Sequence, residues 1–226
     1  MGVVVYGHWG PPLIGFPTSA GDEWELENQG MIGSLADLID GGRVKFFCVN
    51  SVNLAGFYNK SAHPFHRSYV QSQFDAYLSN EVFPFIQDNC KSAITISTMG
   101  ASFGAYHAAN TLFKHPDVVR RCFALSGVYD IKSFMDGMYD DNTYYNNPVD
   151  YLANLSDPHY LGNLAHCDIH IATGCGPWEH SGPSYRLSHI LSSRGIRHSL
   201  DDWGPDGGHD WPYWKNQMRQ YITRLF

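Results

Sequence analysis

The stretch that most restricts how this chain can fold is Gly100-Ala101-Ser102-Phe103-Gly104. Before it runs Ala93-Ile94-Thr95-Ile96, an alternating, β-branched strand signal. After it Ala105, Ala108, Ala109, Leu112 and Phe113 recur at helical spacing up to about His115, and Pro116 closes the segment. A strand, a serine between two glycines and a helix together match the nucleophile elbow, G-x-S-x-G. In that turn the serine takes a strained backbone conformation, and the glycines remove β-carbons that would collide across the bend. The hydroxyl then stands free above a sheet, and the N–H groups that open the helix can face an oxyanion. Serine and glycine are also ordinary turn residues. Ser102 therefore reads as nucleophile or as turn residue, and the strand-before, helix-after context favours the nucleophile.

A reactive serine needs a base to take its proton and an acid to orient that base. In this architecture they follow in the order Ser, Asp or Glu, His, each in a loop after a later strand. With 12 histidines in the chain, position has to decide. His198–Asp202 reads as a late strand, and Gly204-Pro205-Asp206-Gly207-Gly208-His209 as a glycine-rich loop that delivers His209 just before a final helix. His107 and His115 fall on the helix after Ser102, His170 in a strand and His189 on a helix; His63 and His66 fall in a polar loop without metal-ligand spacing. For the acid, Asp168–Thr173 reads as the preceding strand and Gly174–Glu179 as the loop leaving it, with Glu179 opening the next helix. Glu179 is then either the orienting acid or a helix-start glutamate favoured by the macrodipole. Asp206 and Asp210 compete, but both sit too close to His209 in sequence, and Asp210 suits the cap of the last helix.

At this point the chain resembles the esterase D-like branch of the α/β-hydrolases. This putative-esterase group includes S-formylglutathione hydrolases, feruloyl esterases, enterochelin esterases and mycolyltransferases. The resemblance rests on "SNEVFPFI", "GASFGAYHA", "FALSGVYD", "YYNNPVDYL", Glu179 in its glycine loop and "DWGPDGGHDWPYW", in the family's order, from about Val3 to Phe226. It implies Ser102 as nucleophile, Glu179 as acid and His209 as base. It also implies an oxyanion hole from the N–H of Phe103 and an N–H of Ser19 or Ala20, in the loop after Pro12–Phe16. The chain departs from many hydrolases in lacking an H-G-G-G run there, and only Val3–Tyr6 stands where relatives often have a longer leading hairpin.

Composition sets the frame. At 226 residues and 43% hydrophobic content, the chain can bury a sizeable core, and no linker, repeat or low-complexity run divides it. The expectation is one α/β-hydrolase domain over 1–226, a mostly parallel sheet with helices on both faces and no separate lid domain. Strands are predicted near Val3–Tyr6, Leu13–Phe16, Val44–Val49, Ala93–Ile96, Cys122–Leu125, Asp168–Thr173 and His198–Asp202. Helices are predicted near Gly30–Ile39, Ser68–Gln87, Phe103–His115, His180–Ser193 and Trp211–Arg224. A formal net charge of −7 with interspersed signs argues against nucleic acid as a partner. No apolar run approaches the roughly 18 residues of a membrane span, and no leader precedes the first strand, so a cytoplasmic protein off the membrane is expected. The 5 cysteines form no C-x-x-C; Cys48 and Cys122 read as buried, and Cys175, in the acid loop, reads as solvent-accessible or as packed, with packing favoured.

The expected chemistry is hydrolysis of a small-molecule carboxylic ester, without metal or organic cofactor. Trp178 and Trp211 flank the acid and base, and read equally as substrate wall or as packing. The irregular connection Tyr129–Leu164, with Tyr144 and Tyr145, is expected to form one wall of an open pocket suited to short acyl chains. An acyltransferase would use the same three residues, a peptidase would share the machinery, and a non-catalytic binding protein would share the fold. A homo-oligomer is compatible with the sequence.

Overall fold

The computed structural model describes residues 1–226. Seven strands, β1 (Val3–Tyr6), β2 (Pro12–Phe16), β3 (Lys45–Val49), β4 (Ile96–Ala101), β5 (Val119–Leu125), β6 (Asp168–Thr173) and β7 (Ser199–Asp202), form one sheet in the order β1-β3-β2-β4-β5-β6-β7. Only β1 runs antiparallel to its neighbour, and every other pair is parallel. Parallel strands covered on both faces are buried along their length and read as near-continuous apolar runs. β3, Lys-Phe-Phe-Cys-Val, and β4 are buried from end to end. Successive side chains then feed opposite faces. Ile14, Phe47 and Val49 join one core layer, whereas Leu13, Phe46 and Cys48 join the other.

The helices are α1 (Glu25–Asn28), α2 (Met31–Ser34), α3 (Ala36–Asp40), α4 (Pro64–Tyr77), α5 (Phe83–Cys90), α6 (Phe103–Lys114), α7 (Asp141–Tyr145), α8 (Pro148–Asn154), α9 (Pro158–Leu164), α10 (Gly182–Ser193) and α11 (Trp211–Leu225). Residues of α4, α5, α6, α8 and α10 pack into the first layer, and residues of α1–α3 and α11 into the second. None of the helices is long and apolar enough to cross a membrane.

Several boundaries differ from the sequence expectation. The fourth strand is Ile96–Ala101, beginning where Ala93–Ile96 was expected to end. Gly100 and Ala101 stay in the ladder with β5, and α6 passes so close to Gly100 that a β-carbon there would overlap the Gly104 backbone. The helix expected over Gly30–Ile39 is broken into short pieces, with Gly30 left-handed at φ 76°. The one expected over Ser68–Gln87 starts at Pro64, where the His63 ring accepts from the Phe65 N–H at 3.2 Å, so His63 is a cap and His66 is helical. It is interrupted by a π-helical turn over Leu78–Val82, just before Pro84, which has no N–H to donate. The Tyr129–Leu164 connection carries α7, α8 and α9.

Candidate active site

β4 ends at Ala101 and α6 begins at Phe103, so Ser102 alone turns the chain, at φ 55° and ψ −120°. A non-glycine residue at such a φ is strained and persists only where its surroundings impose it. The constraint is visible. A β-carbon on Gly100 would overlap the Gly104 backbone, and one on Gly104 would lie 2.6 Å from the Pro17 carbonyl oxygen. The Ser102 N–H donates to Leu125 O at 2.9 Å, while its carbonyl accepts from Ala105 and Val128. The side chain is left free. Its Oγ lies 3.0 Å from His209 Nε2, although the two residues are 107 positions apart.

His209 is carried by the loop between β7 and α11, and this loop is laced to the one leaving β6 by main-chain bonds. Trp203 N–H donates to Thr173 O, Cys175 to Gly204 O, Gly176 to Gly207 O and His209 to Pro177 O, all within 2.8–3.0 Å. The backbones approach so closely that a β-carbon on Gly174 would sit 2.5 Å from Gly207 O. The Asp210 carboxylate accepts from the Trp211 N–H at 2.7 Å, capping α11 directly after the histidine.

Glu179 lies in the loop before α10, not at the helix start expected for it; α10 begins at Gly182. Its side chain is 1% exposed, and its Oε2 lies 3.5 Å from His209 Nδ1. Oε1 accepts from Thr173 Oγ1 at 2.8 Å. Burial opposes the charge on Glu179, but the neighbouring His209, Ser126 and Thr173 side chains outweigh it and hold the carboxyl below its ordinary value. The structure thus brings Ser102, His209 and Glu179 into one line. The imidazole, 31% exposed, is accessible from outside.

On the other side of Ser102, Phe103 N–H belongs to the first turn of α6, where no helical acceptor is available. The loop after β2 passes beside it, pressed against Gly104. Thr18 is committed to Glu25 through its N–H (2.6 Å) and its hydroxyl (2.8 Å). The N–H groups of Ser19 and Ala20 have no acceptor within the protein.

The aromatic residues divide. Trp178 is 88% exposed and left-handed at φ 63°, so packing does not account for it. Trp211 packs edge-on against Trp214, their ring centroids 5.3 Å apart. Tyr144 does not wall this site. It lines a cavity of about 520 Å³ together with Phe113, Lys114 and His115, at the far end of α6 from Ser102, because α7 packs beside α4 rather than over the elbow. Cys175 is exposed rather than packed, its loop being held by main-chain bonds. Sequence reasoning gave no role to Thr173 or Ser126. Thr173, at the end of β6, donates to Glu179, and Ser126, directly after β5, stands near it, relations that leave no local pattern.

A family model described as "Esterase: Putative esterase" matches residues 26–225. No curated protein matches the chain by sequence. Among solved structures the chain is similar to a ferulic acid esterase, at 17% identity and a TM-score of 0.69, covering 96% of this chain and 86% of that one. It is also similar to MPT51 (FbpC1) of Mycobacterium tuberculosis, at 16% identity and a TM-score of 0.70, covering 99% and 91%. A third is an S-formylglutathione hydrolase (FrmB) from Staphylococcus aureus, at 18% identity and a TM-score of 0.57, covering 96% and 82%. At such identities the likeness to these structures speaks for the fold.

Proposed function

The chain belongs to the putative esterase family, and on that premise we propose that it cleaves carboxylic esters through an acyl-enzyme on Ser102. The observation that carries this reading is the Ser102 Oγ–His209 Nε2 approach of 3.0 Å at a strained elbow. With its Nδ1–H toward Glu179, His209 presents the Nε2 lone pair to the hydroxyl. It takes the proton as Oγ attacks the carbonyl, and the buried carboxylate stabilises the imidazolium. The N–H of Phe103 and one of the free N–H groups at Ser19–Ala20 receive the oxyanion. His209 then protonates the leaving alcohol, and water activated by the same imidazole releases the acid.

Small, water-soluble esters suit the site. A cavity of about 240 Å³ lies beside Val128, whose N–H donates to Ser102 O, and is bordered by Asp130, His180 and Arg186. A long acyl chain would gain its about 0.8 kcal/mol per CH₂ only in a buried apolar groove.

The test is hydrolysis of p-nitrophenyl esters from acetate to palmitate by wild type and Ser102→Ala, together with fluorophosphonate labelling. Turnover of the short esters, abolished with the label in Ser102→Ala, is expected. Equal rates in both proteins would return Ser102 to the role of a turn residue.

A further inference from the structure

Ser126 follows β5 directly, is buried, and stands at φ 50°, a left-handed conformation that a non-glycine residue adopts at a cost. Its N–H donates to Ala172 O at 2.9 Å, which fixes it against the end of β6. Trp214 Nε1–H donates to Ser126 Oγ at 3.0 Å, and both partners are buried. An indole nitrogen can only donate. Ser126 Oγ must therefore accept from Trp214, and its own proton is turned away from the indole toward another acceptor. Glu179 supplies one. Thr173 occupies Oε1, whereas Oε2 is buried and has no partner besides the imidazole at 3.5 Å. The Trp214 ring also stands edge-on to His209, with centroids 5.1 Å apart and planes at 79°.

We infer that Trp214 and Ser126 are positioning residues for the acid: Trp214 orients the Ser126 hydroxyl, and Ser126 donates to Glu179, aligning the carboxylate beneath His209. This rests on the reading of Ser102, His209 and Glu179 given above. The state of the carboxyl agrees with it: burial opposes its charge, yet it is held below its ordinary value, with Ser126 among the groups that lower it. The titratable neighbours of the carboxylate are His209 and the buried phenol of Tyr129. Trp214 thus bears on both members of the pair, touching the base with its ring and the acid through a serine.

Ser126→Gly tests this with little risk to folding, because glycine accepts φ 50° without strain. On p-nitrophenyl acetate, kcat is expected to fall about tenfold, the scale of one lost hydrogen bond to a charged group, with KM kept. Without the donor the carboxylate is more basic, so the acidic limb of the kcat/KM profile moves upward; that limb belongs to the Glu179–His209 pair as a unit. Trp214→Phe keeps a ring beside His209 and removes only the N–H, so a smaller loss with a shift in the same direction is expected. Because Trp214 acts through Ser126, the double variant should lose little more in kcat than Ser126→Gly alone. A folded Ser126→Gly enzyme with wild-type kcat and pH profile would overturn the inference. So would a loss of kcat that leaves the profile unmoved and tracks a lowered melting temperature. If the wild type neither hydrolyses the ester nor takes the fluorophosphonate label, the reading of the site fails first, and this inference with it.

Discussion

The two sides of Ser102 are held in different ways. On the side of the proposed acid and base, here the acid–base side, the loops after β6 and β7 are joined by main-chain hydrogen bonds and by glycines too close to accept a β-carbon. On the side of the proposed oxyanion donors, here the oxyanion side, the loop after β2 is held largely by side chains: Glu25 grips Thr18, and Asn53 donates to Thr18 O at 3.4 Å while bonding the buried His107 at 2.8 Å. Burial pushes the His107 pKa down to about 3, so that ring is a neutral hydrogen-bonding strut rather than a charge. A main-chain junction fixes position stiffly and tolerates little substitution. A side-chain junction can be loosened one bond at a time without unfolding.

The largest break in that comparison is expected from Gly174→Ala. Its β-carbon would meet Gly207 O at 2.5 Å and Gly204 O at 2.6 Å, forcing the two loops apart. A fall in kcat/KM on the order of 10²-fold is expected, with about 2 kcal/mol lost in urea unfolding. Glu25→Gln probes the other side. It leaves Thr18 one acceptor in place of a carboxylate, so kcat should fall about tenfold, short of the on the order of 10²–10³ that loss of a whole donor costs. Its melting temperature should stay near that of wild type; a parallel collapse of both would make the two sides equivalent.

A smaller effect concerns the strands that carry the acid–base side. His170 on β6 lies 3.0 Å from Asp168 Oδ1 and 3.6 Å from Asp201 Oδ2. Arg121 also pairs with Asp168, and Tyr221 with Asp201. Burial works against a charge on His170, but the two aspartates outweigh it and raise its pKa above the ordinary histidine value. A raised pKa means that this stabilisation is complete below the unfolded-state pKa, about 6.5, and is lost as pH rises through the higher folded value. Urea midpoints should therefore fall across that window in wild type, and the fall should shrink in His170→Gln. The least effect is expected from Trp178→Ala. With its side chain exposed, stability should change by less than about 0.5 kcal/mol. A raised KM at constant kcat would mark it as a substrate contact, and unchanged kinetics would leave it a surface residue.

The unequal construction explains what was legible. The acid–base side announces itself as Gly174, Gly176, Gly207 and Gly208 around a carboxylate and a histidine, because a close backbone approach demands glycine wherever it occurs. The oxyanion side carries no such marker. Glu25 and Asn53 are ordinary residues whose meaning arises only when α1 and the segment after β3 fold against Thr18. Tyr144 lies elsewhere than expected for a related reason: Ile131, Phe134 and Met135 of the same connection pack against Phe103 at the elbow, but the helices that follow carry Tyr144 to the far end of α6.

The sequence by itself determined the parallel sheet, the elbow at Ser102 and the chain order of serine, glutamate and histidine. These follow from local rules of periodicity, glycine placement and proline stops, which act over a few residues. Only the tertiary structure decided that Ser102 and His209 meet at 3.0 Å, that the buried Glu179 faces His209 Nδ1, and that Trp214 donates to Ser126 nearby. Those relations depend on strand order and on how far each loop reaches beyond the sheet. They belong to pairs of residues distant in the chain, and no single segment encodes them.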